Sequence, residues 1–166
     1  MKKTSGITII SLIITIIVLL IITSIAVYNG SNMIKKVKLE ELRTNMLLIQ
    51  GKAREYVEEA NFKLGIDIDS ASDKNERIES AKTELKGTPI TNVDSNIVGT
   101  VETGEFVFYY ELSKEDLNDM GLDKIELDTD EKYIVKYDIN NLKVAIYNTI
   151  GYNGSYSLEE IENIED

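Results

Sequence analysis

The chain has 166 residues, 43% of them hydrophobic and 28% charged, a size and balance that suit one globular domain and exclude a disordered polymer. It contains no cysteine and no histidine, which excludes disulfide staples, thiolate or imidazole metal sites, cysteine nucleophiles and any triad with a histidine base. The net charge of −11 is concentrated at one end: residues 101–166 hold seventeen acidic and five basic side chains, so nucleic-acid binding by that half is disfavoured.

Residues 7–27 contain no charged side chain, and ten of these 21 residues are isoleucine. As a helix rising ~1.5 Å per residue they would span about 31 Å, close to the ~30 Å of a bilayer's hydrocarbon core. The polar members Thr8, Ser11, Thr15, Thr23 and Ser24 are small hydroxyl residues that return a hydrogen bond to the preceding turn, so none forbids insertion. The segment reads as a membrane helix. Three fates fit it: a cleaved secretory signal, with Ser24-Ile25-Ala26 as a small-x-small site; a permanent anchor; or a processed leader. Lys2 and Lys3 flank one end and Lys35, Lys36, Lys38 and Arg43 the other, so the excess of positive charge does not set the orientation.

The order Met1-Lys2-Lys3-Thr4-Ser5-Gly6 followed by Ile7-Thr8-Ile9-Ile10 resembles the prepilin leader of type IV pilins and type II secretion pseudopilins. Residues 42–50 are similar to the helix of pilin-like proteins from low-GC Gram-positive bacteria. The resemblance implies cleavage between Gly6 and Ile7 by a membrane aspartyl prepilin peptidase, with methylation of the new N-terminal Ile7. It implies that the hydrophobic helix enters a filament core, with other pilin or pseudopilin subunits, the membrane, a polytopic platform protein and an assembly ATPase as partners. Most such proteins carry Glu at the fifth mature position, where it neutralises a neighbour's amine; here Ser11 stands there, as a non-acidic residue commonly does in the subunit at the filament tip. The proline usual near mature position 22 is replaced by Tyr28, which implies a straighter helix.

From residue 28 the pattern turns amphipathic. Met33, Val37, Leu42, Met46, Ile49, Ala53, Tyr56, Val57, Ala60 and Leu64 recur mostly every three or four positions, predicting a core-facing helical stripe. If Gly30 does not interrupt it, one helix runs over 7–64, about 87 Å at ~1.5 Å per residue, and Gly65 ends it. The alternative is an anchor followed by a separate core helix. The expected organisation is a leader over 1–6, a transmembrane or filament-core helix over 7–27, its amphipathic continuation over 28–64, and an acidic α+β head over 65–166.

In the head, Asp67, Asp69, Asp73 and Glu76 form an oxygen-rich loop. These carboxylates are weak candidates for calcium, since the glycine and bidentate Glu of a calcium hand are missing; the other reading is capping, with Asp73 opening a helix that carries Ile78, Ala81 and Leu85. Gly87-Thr88-Pro89 closes that element. A strand is predicted over 105–112, a short helix over 114–120 entered through Ser113 and Asp116 and ended by Gly121, and a hairpin over 132–148 turning at Asn140-Asn141 with positive φ. Residues 151–154 read as a loop, and Ser157 as the cap of a final helix with Leu158, Ile161 and Ile164. The nine tyrosines suggest apolar bodies with outward hydroxyls. With no phosphate-binding glycine loop, serine elbow or metalloprotease motif, the chain is expected not to be an enzyme and to need no cofactor.

The fold expectation is therefore α+β: a long N-terminal helix packed against a small antiparallel sheet, pilin-like by resemblance. The expected function is that of a structural subunit of an extracellular filament, in a type IV pilus, type II secretion or competence system, with the head outside the cell membrane. The alternatives are a single-pass membrane-anchored surface protein that never polymerises and a calcium-dependent surface adhesin.

Overall fold

The computed structural model describes the backbone of residues 4–164 and the side chains of 16–20, 30, 33–69 and 71–164. Two compact units divide the chain, Met1–Glu40 and Glu41–Asp166. Helix α1, Thr4–Leu64, contributes backbone to both, and neither Gly30 nor Gly51 interrupts it.

The second unit is α+β. After α1 come a 3-10 turn at Ile68–Ser70, α2 (Lys74–Lys82), β1 (Thr88–Ile90), α3 (Ser95–Val98), β2 (Val107–Leu112), α4 (Lys114–Asp119), β3 (Tyr133–Asp138), β4 (Lys143–Tyr152), β5 (Ser155–Ser157) and α5 (Leu158–Glu162). Among the described residues the strands form one five-stranded sheet in chain order, each pair antiparallel.

The core follows from two periodicities. On α1, Met46, Ile49, Ala53, Val57, Ala60 and Leu64 fall three or four positions apart, and all are at most 1% exposed. On the sheet, alternation places Leu112, Tyr133, Val135, Tyr137 and Ile146 on one face, each buried as deeply. Hydrogen bonds join helix to sheet, from Asn61 Nδ2 to the Ile139 carbonyl at 2.9 Å and between Asn45 and the Tyr133 hydroxyl. Arg43 Nη2 donates to the carbonyls of Ile161 and Ile164, both at 3.0 Å, tying α1 to the end of α5. Met33 and Val37, placed by periodicity on the core stripe, are exposed instead; the stripe that the sheet covers begins further along the helix.

Two of the tyrosines depart from the outward-hydroxyl expectation. Tyr133 and Tyr137 are fully buried; Tyr137 donates to the Lys86 carbonyl at 3.4 Å and meets Tyr110 edge-on, centroids 5.6 Å apart. Burial pushes both hydroxyls well above the usual tyrosine range, because the phenolate would be desolvated.

Local signals set most boundaries. Gly65 takes φ +75° and its N–H bonds Asn61 O at 3.1 Å, ending α1. Ser113 with Asp116 and Ser157 with Glu160 each form a complete capping box at the starts of α4 and α5. Four details differ from the sequence expectation. Asp73 precedes α2, but its carboxylate pairs with Arg77 at 2.9 Å rather than capping the helix. Thr88-Pro89-Ile90 does not merely close an element; it is the edge strand β1 on β2, with Pro89 opposite Tyr110, a position where a missing N–H is tolerated. The β3–β4 turn puts positive φ on Leu142 rather than on Asn140 or Asn141, because Asp138 accepts from the Asn141 backbone at 3.1 Å and its side chain at 2.8 Å. Residues 151–154 are no open loop: β4 continues through Tyr152, and Asn153-Gly154, both at positive φ, turn it directly into β5.

A bulge lies between Tyr147 and Tyr152. Buried Asn148 accepts from the N–H groups of Ile150 at 3.0 Å and Gly151 at 2.8 Å, holding backbone donors there. Gly151 has φ +65°, and a Cβ on it would strike the Ser155 carbonyl and the Tyr156 ring.

Candidate functional site

Among the described residues the first unit presents exposed apolar side chains. Ile16, Ile17, Val18, Leu19 and Leu20 are 46–62% exposed. Five consecutive helical residues at 100° each go round every side of the helix, so this stretch has no polar face. Further along, Met33, Ile34 and Val37 are exposed among exposed Lys35, Lys36 and Lys38. The processing and assembly residues singled out from sequence, Gly6, Ile7 and Ser11, lie outside the described side chains, as does most of 7–27. Among the described residues no helix is long and apolar enough to cross a membrane.

The acidic loop is arranged around cations of the same chain. Asp67 adopts φ +53° before the 3-10 turn. Asp69 reaches Lys74 at 3.2 Å, and Asp73 reaches Arg77 at 2.9 Å. Lys74 also binds Glu105 at 2.7 Å and lies 5.2 Å from the Phe106 ring centroid, so it links the loop to the start of β2. Its ammonium is raised above the usual lysine value, first by the Glu105 hydrogen bond and then by Asp69, against the opposing cost of burial. Asp69 and Asp73 thus point to different basic partners, and among the described residues no group of three or more carboxylates is placed to hold a metal ion.

The second face of the sheet carries a smaller apolar cluster of Val98, Tyr109, Ile134 and Tyr147, flanked by Ile90, Val93, Ile97, Val107 and Ala145. Helix α3 covers part of it, entered through Asp94, which accepts from the Asn96 N–H at 2.9 Å. Tyr109 places its hydroxyl to accept from the Glu102 N–H at 3.0 Å, while the Glu102 carboxylate binds Lys136 at 2.8 Å. Burial acts to lower the Lys136 ammonium, yet the Glu102 hydrogen bond and neighbouring negative groups raise it overall. Beside this cluster, between β1 and residues 101–104, lies a groove of about 410 Å³. Neither the groove nor β1 was anticipated from sequence; the three residues of β1, one of them proline, are too few to show alternation.

The chemistry available is that of surfaces. Carboxylates sit against lysines and arginines, the buried tyrosines hold neutral hydroxyls, and the open features among the described residues are the apolar turn at 16–20 and the groove of the second unit. No family model, curated protein or solved structure matches this chain.

Proposed function

We propose that this chain is a pilin-like structural subunit that assembles into an extracellular filament through its hydrophobic N-terminal helix. The observation that carries the reading is the order of residues 1–27: a short basic stretch, Gly6, Ile7 and then an uncharged apolar run. The exposed, apolar-all-round turn at 16–20 supports it, since such a helix needs lipid or neighbouring helices around it. The α+β head, with a long helix preceding an antiparallel sheet, agrees with a pilin-like fold.

In this reading the peptide bond between Gly6 and Ile7 is cut by a prepilin peptidase, and Ile7 becomes the methylated first residue. The apolar helices then leave the bilayer and pack side by side, exchanging lipid contacts for contacts with other subunits. Ser11 has no carboxylate to pair with a neighbour's amine, so no buried charge needs compensation there. This argues against the role of the major subunit. Platform protein and ATPase would drive extraction.

Shearing cells that make the protein and sedimenting the supernatant tests polymerisation. The expected result is the chain in the high-speed pellet together with other pilin-like subunits. Full retention in the membrane fraction, with nothing released by shear, would instead establish the rival reading of a non-polymerising surface anchor.

A further inference from the structure

The sign of the charge changes at the boundary between the two compact units. Residues 1–39 hold five lysines and no acidic side chain, whereas residues 40–166 hold thirteen basic and twenty-nine acidic ones; the first unit ends at Glu40. The five lysines bracket the uncharged run 7–27, Lys2 and Lys3 before it and Lys35, Lys36 and Lys38 after it. The last three are exposed, and among the described residues none of them lies within ion-pair distance of a carboxylate. They alternate along α1 with Met33, Ile34 and Val37, which are 58–69% exposed. At 3.6 residues per turn these three apolar side chains occupy about 100° of the helix circumference, with Lys36 and Lys38 on either side and Lys35 opposite.

We infer that residues 33–38 bind the anionic headgroups of the bilayer that the apolar helix enters, with Lys35, Lys36 and Lys38 meeting lipid phosphates and Met33, Ile34 and Val37 resting against the headgroup layer. The inference rests on the membrane part of the reading above, and it holds for a filament subunit and for a permanent anchor alike. Charge and position select this occupant. The helix continues without a break from the apolar run, so at ~1.5 Å per residue Met33 stands about 9 Å and Lys35 about 12 Å past Val27. A headgroup layer is about 5–8 Å thick. Lysine stems reach back toward such a layer, and the distance left is about one Debye length, ~8 Å at physiological salt. A cation this close to an anionic leaflet is attracted to it. Any copy whose helix spans a bilayer therefore holds these lysines beside headgroups with no further association step, whereas the acidic side chains of another copy would first have to meet them. For a filament subunit the contact sets the depth of the helix before assembly and opposes its extraction.

The lack of native cysteine allows a direct test in the full-length chain. Val37→Cys is labelled with a small fluorophore and reconstituted into vesicles of equal parts phosphatidylglycerol and phosphatidylcholine. A nitroxide near the top of the acyl chain is carried by one lipid or by the other, and quenching by each is compared. The expected result is a local enrichment of the anionic quencher of roughly fivefold or more, the scale that one lysine near an anionic surface supplies. The ratio should fall toward one when Lys35→Gln, Lys36→Gln and Lys38→Gln are combined, and also at about 1 M salt, where the Debye length is about 3 Å. All four positions are exposed, and an unchanged denaturation midpoint of the head checks that the variants fold. Equal quenching by both lipids overturns the inference and leaves the membrane helix standing. A label that only aqueous acrylamide quenches overturns it too, since the stretch then stands in water. A label shielded from lipid and acrylamide alike would place protein, such as a second copy, against this face and overturn it as well. Protein that fails to float with the vesicles removes the membrane reading itself, and the inference with it.

Discussion

Residues 16–20 and 46–64 belong to the same helix yet solve opposite problems. In 46–64 the apolar side chains recur every three or four positions and end at most 1% exposed, while their neighbours Leu47, Leu48, Arg54, Glu55, Glu58 and Glu59 face out. In 16–20 they are consecutive and open on every side. The spacing of apolar residues along a helix therefore tells where its partner is. A one-sided stripe needs one partner, here the sheet of its own chain; the turn at 16–20 is apolar on every side and stays 46–62% exposed.

The sharpest way to break the one-sided half is to remove a side chain from its interface. Tyr137→Ala, at a fully buried position, is expected to destabilise the head by about 3–5 kcal/mol through lost transfer and cavity terms, read by chemical denaturation. The same interface gives a pH signature. Burial raises the hydroxyls of Tyr133 and Tyr137 above the ordinary tyrosine value of about 10. A raised folded value means that their stabilisation is complete below pH ~10 and is lost as pH climbs beyond it, where the unfolded chain ionises first. The thermal midpoint should fall steeply above that pH, and a Tyr133→Phe/Tyr137→Phe double variant should fall less. A double variant with an unchanged alkaline limb would contradict the assignment.

The all-round half breaks differently. Ile17→Lys places a charge in the exposed apolar turn, which in a membrane segment costs roughly 3 kcal/mol on insertion. Membrane-associated protein should drop while the denaturation midpoint of the head stays where it was. Equal loss of both would mean that 16–20 serves the head's own fold.

Much of this was legible in the sequence because the governing interactions are local. The hairpin of β3 and β4 showed as alternation, α4 as Ser113 followed three residues later by Asp116, α5 as the cap Ser157, and the end of α1 as Gly65. The capping boxes give a smaller prediction: Ser157→Ala should cost about 1 kcal/mol, visible as a lower midpoint. What escaped reading depends on contacts distant in sequence or on competition between side chains. Edge strands β1 and β5 are three residues each and take their form from neighbours. Asp73 looked like a cap, but Arg77 draws its carboxylate away. Leu142 carries the positive φ because Asp138 fixes the preceding turn through Asn141. Ring hydroxyls of Tyr133 and Tyr137 turn inward because Asn45, Asn148 and the Lys86 carbonyl supply partners there. The groove needed the fold itself, since β1, β2 and residues 101–104 must come together to form it.

The smallest effect marks the boundary between the halves. Leu48→Ala, exposed on the outer side of the one-sided stretch, should change head stability by no more than ~0.5 kcal/mol. A loss comparable to that of Tyr137→Ala would mean that the outer side is also packed within the single chain.

The central claim is that the apolar helix belongs to a processed, assembling subunit, and the mass and N-terminal sequence of the protein from its native membrane address it most directly. A chain that begins at Ile7, with or without one added methyl group, is the predicted result. A chain that still begins at Met1 would contradict it and leave a permanent anchor, and one beginning near Val27 would mean that the helix is removed and the head released.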